Sequence, residues 1–129
     1  MNAPALYNDV VRRHFTDPQH AGDLQRHYDT MLNADVADSD NGIHIVINAG
    51  IRTGIIGEMA FRVLGCPHLI AALELVCERL AEQPVASLEN YDLADITQEL
   101  CIPAEKMGRI LLLEDALAML WAEGGSALN

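Results

Sequence analysis

The clearest pattern in the chain is an alternation of apolar and polar residues near its middle. Ile43, Ile45 and Ile47 alternate with the residues between them, which is the period of a half-buried strand. A second strand is predicted over residues 55–64, with Met59 and Phe61 among the residues of one face. Residues 50–54 lie between the two strands and begin and end with glycine. The pattern therefore predicts a β-hairpin.

A helical period follows the hairpin. Gly65-Cys66-Pro67 ends the second strand and opens a helix over residues 67–82, with proline at a position where its missing N–H costs little. The predicted apolar stripe of this helix is Leu69, Ile70, Leu73, Val76, Cys77 and Leu80. Further helical patterns cover residues 4–15, residues 92–100 with Asp92 as the cap, and residues 104–122, the last ending at Gly124-Gly125.

Two segments have no regular period. Residues 24–36 fit either an edge strand or an irregular segment. Residues 37–42, which contain Asp38, Ser39, Asp40 and Asn41, have the composition of a loop. The order of helix, strands and helices predicts one α+β domain over residues 1–129, with a small antiparallel sheet and helices packed on one face.

Charge and cysteine content exclude some function classes. The 129 residues include 19 acidic and 8 basic side chains, for a formal charge of -11. Such a surface repels phosphate backbones and anionic headgroups, so we expect neither nucleic acid nor a membrane as a partner. No apolar run is long enough to span a membrane, and the first residues show no secretory signal. Three cysteines form no paired framework, which favours a reducing, cytoplasmic location.

Three segments, taken in order, resemble a known family. The first covers residues 7–22, with Tyr7, an aromatic residue after His14, then a proline and a glycine. The second contains Gly54 and Gly65-Cys66 followed by a helix, and the third runs from Ile102-Pro103 through Lys106 to the sequence Glu-Asp-Ala at 114–116. Together they are similar to the IscU/NifU-type scaffolds, on which iron–sulfur clusters are assembled. The resemblance implies the SufE/NifU-like α+β fold and no catalytic residues, so we do not expect an enzyme.

The resemblance also implies a ligand set that this chain has mostly lost. Members of the family carry three cysteine ligands, an aspartate near the first and a histidine just before the third. Of these cysteines only Cys66 remains. The other positions align with Ser39 for the first cysteine, Asp40 or Asn41 for the aspartate, Gly108 for the histidine and Arg109 for the third cysteine.

These replacements change what the site can bind. Thiolates and imidazoles hold iron–sulfur clusters and zinc, whereas an arginine has no lone pair to offer and repels cations. We therefore expect no tightly bound cofactor. Iron or a labile iron–sulfur cluster held by Cys66 and Asp40 stays open as an alternative, with further ligands from a partner or a dimer.

Cys66 is the remaining candidate for chemistry. The N-terminus of a helix stabilises a thiolate, and Arg109, if the family geometry is kept, adds a positive charge beside it. We expect Cys66 to be the most reactive thiol, either as a sulfur acceptor or as a relic without a role. Cys77 is predicted to be buried, Cys101 to be incidental, and His68 to be a surface histidine rather than a metal ligand.

Three functions follow from these expectations. The first is an adaptor that docks on a cysteine desulfurase and uses Cys66 to accept or pass sulfur, or to regulate assembly. The second is a true scaffold for iron or a labile cluster. The third is an interaction protein without metal or sulfur chemistry. Ile102, Pro103 and Lys106 resemble the segment that an Hsp70-type chaperone recognises in the family, or else form a simple loop-to-helix transition.

Overall fold

The computed structural model describes the backbone of residues 7–128 and the side chains of residues 7–124. The elements are α1 (Asp9–Thr16), β1 (Thr30–Asp38), β2 (Ile43–Arg52), β3 (Ile55–Leu64), α2 (Pro67–Leu80), α3 (Ala94–Glu99) and α4 (Met107–Leu128). Short 3₁₀ turns lie at Ser39–Asn41, Val85–Leu88 and Ala104–Lys106. The strands form one antiparallel sheet in the order β1-β2-β3, which confirms the predicted α+β class.

The predicted hairpin is confirmed, with a tighter turn than expected. β3 has the predicted bounds, but β2 continues to Arg52, so only Thr53 and Gly54 connect the strands. Both residues have positive φ, 50° and 77°. This is the backbone geometry that two-residue hairpin turns require, because its twist matches that of the strands.

The undecided segment before the hairpin ends in an edge strand. β1 pairs with β2 from Thr30 opposite Ile51 to Asp38 opposite Ile43. Along it, Leu32 and Ala34 are buried beneath the helices, whereas Met31, Asn33 and Asp35 are exposed. Because the apolar Met31 occupies an exposed position and the small Ala34 a buried one, the alternation was weak in the sequence.

Helix α2 lies in the centre of the helical layer. The predicted stripe is buried except for Ile70, which is half-buried. Most of the remaining side chains of the helix are buried as well, whereas Glu78 and Arg79 near its end are exposed. α2 contacts β3, α1, α3 and α4, and a helix that is surrounded in this way buries all its faces. It ends at Leu80, two residues before the predicted end.

Helix α1 is shorter at its start than predicted. It begins at Asp9, and the part of the predicted helix before Tyr7 lies outside the described residues. The Asn8 side chain caps it by accepting a hydrogen bond from the Val11 N–H at 2.8 Å. The amide nitrogen of the same side chain donates to the Glu99 carbonyl at 2.8 Å, which ties the start of α1 to the end of α3.

The predicted end of the last helix is wrong. α4 continues through Gly124-Gly125 to Leu128. A Cβ atom at Gly124 would lie 2.9 Å from Leu32 Cδ1 and 3.0 Å from Val85 Cγ1. Gly124 therefore serves close packing of the helix rather than termination. Helix α3 is also shorter than predicted and starts at Ala94, whose N–H donates to Asp92 Oδ1 at 2.9 Å.

Tyr28 covers the outer face of the sheet, away from the helices. A Cβ atom at Gly50 would lie 2.1 Å from Tyr28 Cδ2, and one at Gly57 would lie 2.8 Å from Cε1. The ring thus lies directly on the backbone of β2 and β3. The Arg52 guanidinium carbon is 5.4 Å from the ring centroid, within cation–π distance.

Candidate functional site

The strand register brings two family positions to one end of the sheet. Asp38 pairs with Ile43, so the 3₁₀ turn Ser39–Asn41 connects β1 and β2 at this end. His44, the next residue of β2, pairs with Leu64, the last residue of β3. Gly65-Cys66 therefore leaves the sheet at the same end as Ser39–Asn41.

Cys66 is the N-cap residue of α2, as the sequence predicted. Its carbonyl accepts the Ile70 N–H at 3.1 Å, and Pro67 follows as the first helical residue. The thiol makes no capping hydrogen bond; the side chain is half-buried and packs against the core. Leu64 nearby is 66% exposed. The thiol thus sits at the border between the core and an exposed apolar residue.

Arg109 lies in the first turn of α4. Near its other end the helix packs on the start of β1, where Gly124 approaches Leu32 and Glu123 Oε1 accepts the Asn33 N–H at 3.1 Å. From Arg109 to Gly124 the helix rises about 22 Å, close to the roughly 20 Å that β1 spans from Leu32 to Asp38. α4 packs against β1, and a helix of this length can reach the Ser39–Asn41 end with its first turn.

The Arg109 side chain is half-buried. Its Nε atom is buried and has no hydrogen-bond partner among the residues that the structure describes. Gly108, before it, leaves open space: a Cβ atom there would meet nothing within 4 Å. The alignment of Arg109 with the third cysteine of the family and of Gly108 with the histidine stays a prediction.

The available donors do not form a metal site. Ser39 and Asp40 are exposed, and the Asn41 side-chain amide donates to Asp38 Oδ2 at 2.7 Å. Over the described part of the chain, no three His, Cys, Asp or Glu side chains are grouped closely enough to hold a metal ion. The residues present do not fit a closed tetrahedral site or a cluster held by this chain alone.

The other two cysteines have different environments. Cys77 is fully buried in α2, as predicted, and its burial, followed by the negative charge of Glu74, strongly raises the pKa of its thiol. Cys101 is exposed and has a left-handed backbone with φ of 51°. Solvent can therefore reach the thiols of Cys66 and Cys101 in the folded protein, whereas Cys77 is protected.

The prediction that His68 is a surface histidine is wrong. Its side chain is only 4% exposed, and its ring centroid is 4.9 Å from that of Tyr7, with the planes tilted by 54°. The residue lies in the first turn of α2, which α1 and the residues before it cover. His68 is therefore part of the packing between the two helices.

Sequence reasoning missed a buried glutamate that is hydrogen-bonded to a histidine. Glu74 in α2 is buried, and its two carboxylate oxygens accept hydrogen bonds from the His20 N–H at 2.8 Å and from the His20 ring nitrogen Nδ1 at 2.5 Å. The signal in the sequence was a single acidic residue inside the apolar run from Leu69 to Cys77. The pair fixes the segment before β1 to the helix that carries Cys66.

The segment before α4 has the geometry of a loop-to-helix transition. Ile102, Pro103 and Lys106 are all half-buried. The Lys106 N–H donates to the Pro103 carbonyl at 2.9 Å and closes the 3₁₀ turn Ala104–Lys106. The recognition of these residues by a chaperone stays a prediction.

The fold is an α+β domain with a three-stranded antiparallel sheet and one cysteine at the start of the helix that follows the hairpin. The sequence profile of the family described as NifU-like N terminal domain matches residues 6–121. The chain belongs to this family, which confirms the resemblance. Within the described residues no helix is long and apolar enough to cross a membrane.

Several named proteins are similar to the chain. It is 26% identical over 117 residues to iron sulfur cluster assembly protein 1, mitochondrial, of Eremothecium gossypii, covering 89% of this chain and 76% of that protein. It is 27% identical over 115 residues to the iron-sulfur cluster assembly scaffold protein IscU of Azotobacter vinelandii, covering 86% and 88%. It spans 64% of the corresponding Debaryomyces hansenii protein.

A solved structure supports the same fold. The N-terminal NifU-like protein from Brucella abortus superposes with a TM-score of 0.69 at 15% identity, over 92% of this chain and 94% of that one. At this identity the match shows the fold alone.

Proposed function

We propose that the protein is a sulfur acceptor and adaptor in iron–sulfur cluster assembly, with Cys66 as the acceptor. The observation that carries the proposal is the composition of the site. Cys66 is kept at the start of α2 and is half-exposed, whereas Ser39, Gly108 and Arg109 replace the other ligands of the family. A site of this kind favours an anionic sulfur species over a cation.

The proposed step is a thiol–persulfide exchange with a cysteine desulfurase as the donor. The Cys66 thiolate attacks the terminal sulfur of the donor's cysteine persulfide. The S–S bond of the donor breaks, its cysteine leaves as a thiolate, and a persulfide forms on Cys66, with no net oxidation or reduction. The partial positive charge at the N-terminus of α2 stabilises both the attacking thiolate and the product anion.

The test is a transfer assay with mass analysis of the three cysteines. Reduced protein is incubated with a cysteine desulfurase and L-cysteine, and the peptide containing Cys66 is expected to gain one sulfur atom. Cys66→Ser should abolish this gain, and Cys101→Ser is the matched control because Cys101 is also exposed. Equal sulfur on Cys66 and Cys101 would contradict a specific role of Cys66, and no sulfur on either would leave an interaction protein without sulfur chemistry as the better proposal.

A true scaffold is the second candidate, because the Azotobacter relative is named a scaffold protein. In that case Cys66 and Asp40 hold iron or a labile cluster with ligands from a partner or a second copy. Anaerobic reconstitution of wild type and Cys66→Ser, with iron and sulfide assayed, separates the candidates. Stoichiometric iron and sulfide that depend on Cys66 would support the scaffold. About one tightly bound zinc per chain as isolated would contradict our view that the donors do not fit a metal.

The partners and the compartment are part of the proposal. A cysteine desulfurase follows from the sulfur-transfer step, and an Hsp70-type chaperone would recognise Ile102, Pro103 and Lys106. The cytoplasmic location is a prediction from the cysteine content. The names of the fungal relatives place those proteins in mitochondria.

A further inference from the structure

The two edges of the sheet differ in how much of their backbone is covered. On β3, the Phe61 N–H donates to the His20 carbonyl and the Phe61 carbonyl accepts the Gly22 N–H, both at 2.9 Å. Ile56 forms two similar bonds, with Glu82 and Gln83. Non-strand segments therefore cover β3 at two places, whereas β1 forms the opposite edge.

The outward side of β1 can be identified from one hydrogen bond. The Asn33 N–H donates to Glu123 Oε1 and so points away from β2. In an antiparallel ladder every second residue points the same way, so the N–H and C=O groups of Met31, Asp35 and Ala37 also face outward. In residues 7–124 no main-chain group from another segment pairs with them.

Apolar side chains border this open edge. Met31 is 55% exposed. Met119 is 42% exposed and lies one helical turn before Glu123, on the side of α4 that reaches Asn33. An added strand would therefore find backbone donors and acceptors together with apolar contacts on both sides.

The charge around the edge is negative. Asp29, Asp35, Asp40 and Glu123 are all exposed, and they lie before, on, after and beside the strand. Two arginines lie nearby: Arg26 lines a surface cavity with Met31 and Asn33, and Arg52 lines another with Asp29 and Thr30. The four carboxylates outnumber them, and His44 Nε2 is already 2.6 Å from Asp35 Oδ1. A second copy of this chain, with a formal charge of -11, would place the same carboxylates against each other.

We propose that the outward edge of β1 binds an extended, lysine- or arginine-rich segment of a partner protein, which adds to the sheet as a further strand. Main-chain hydrogen bonds supply affinity in this mode of recognition, and the carboxylates select a basic sequence. A strand bound beside β1 ends next to Ser39–Asn41, at the same end of the sheet as Cys66. The proposal does not depend on sulfur transfer, since it concerns the edge alone.

The test uses a synthetic peptide of about ten residues, the length of a long strand, that alternates lysine and valine. We expect saturable binding by fluorescence anisotropy, weakened by salt, with changes in the amide NMR signals of Met31, Asp35 and Ala37. The same peptide N-methylated at every backbone nitrogen keeps its charges but donates no main-chain hydrogen bonds, and should bind at least about tenfold more weakly. A glutamate–valine peptide should not bind.

Two variants of the protein examine the edge from the other side. Ala37→Pro removes an outward N–H without breaking the ladder with β2, and Asp35→Lys reverses a charge on the edge. Both should weaken binding of the lysine–valine peptide about tenfold or more, whereas Asp95→Asn, an exposed aspartate in α3, should not. If Ala37→Pro does not fold, Asp35→Lys and the N-methylated peptide still test whether a strand adds to the edge of β1.

Three results would overturn the proposal. The first is equal binding of the N-methylated peptide, which would indicate charge attraction without strand addition. The second is the absence of binding at about 1 mM peptide, or amide changes elsewhere, which would mean that the carboxylates only protect the edge from aggregation. The third is a dimer in sedimentation that Asp35→Lys or Ala37→Pro alters, which would assign the edge to a second copy.

Discussion

The buried pair of His20 and Glu74 gives a quantitative prediction about stability. The Glu74 side chain is 4% exposed and accepts two hydrogen bonds from His20, one from the backbone and one from the ring. His20→Ala removes the imidazole ring and its hydrogen bond. The Glu74 carboxylate then keeps only the hydrogen bond from the backbone N–H of residue 20. A buried carboxylate that loses its partner is strongly destabilising because it cannot recover its hydration.

The magnitude follows from the burial of the two side chains. Breaking a fully buried ion pair costs about 3–5 kcal/mol. The His20 side chain is 23% exposed, so water reaches part of the site and reduces this value. We expect a loss of about 2–3 kcal/mol in the free energy of unfolding. For a chain of this size the midpoint of thermal unfolding should fall by roughly 6–12 °C.

The assay is urea unfolding followed by circular dichroism, with an exposed pair as the matched control. His44 Nε2 lies 2.6 Å from Asp35 Oδ1, but the side chains are 46% and 58% exposed. His44→Ala should therefore cost less than about 1 kcal/mol. Glu74→Gln added to His20→Ala should recover part of the loss, because the buried charge is gone. Equal effects of His20→Ala and His44→Ala would refute this reasoning.

Other predictions concern glycine packing and the buried thiol. Gly50→Ala should destabilise the protein by about 3 kcal/mol or more, because its Cβ would displace the Tyr28 ring. Gly108→Ala, a helical glycine with open space around it, should instead stabilise by about 0.5–1 kcal/mol; urea midpoints of the two variants check both signs. The pKa of Cys77 is raised from its ordinary value of 9.0, so above about pH 9 the unfolded chain releases a proton that the folded chain keeps. The free energy of unfolding should fall with rising pH in this range by up to about 1.4 kcal/mol per pH unit, and an unchanged slope in Cys77→Ala would contradict the assignment. In native protein, alkylation should label Cys66 and Cys101 but not Cys77, and rapid labelling of Cys77 would show that its burial is incomplete.

The elements that the sequence predicted well are those with strong local signals. The hairpin follows from the alternation through Ile43, Ile45 and Ile47, and the start of α2 from Pro67. β1 was undecided because Met31 and Ala37 are apolar at exposed positions and Ala34 is small at a buried one, which blurs the alternation. The segment is a strand because it pairs with β2, and a pattern within the segment does not show that pairing.

The errors arise where tertiary contacts override a local rule. Gly124 resembled a helix terminator, but the backbone of α4 needs a glycine there to approach Leu32. His68 resembled a surface residue because the sequence could not show that the segment around Tyr7 covers it. For the candidate site, the sequence predicted the place of Cys66, but the half-buried state of Arg109 depends on how α4 packs along β1.

The bond between the Asn8 side chain and the Glu99 carbonyl joins residues 91 positions apart in the sequence. The bond can therefore form only after both residues have been synthesised. At about 5–20 residues per second, a ribosome needs roughly 5–20 s to synthesise the stretch between them. The hairpin and β1 can pair early in this interval, but α1 cannot complete its contacts until Glu99 has been made. α4 comes later still, so the apolar face of β1 stays uncovered until α4 has been synthesised, and a nascent chain of this protein is most exposed to aggregation or chaperone binding on that face.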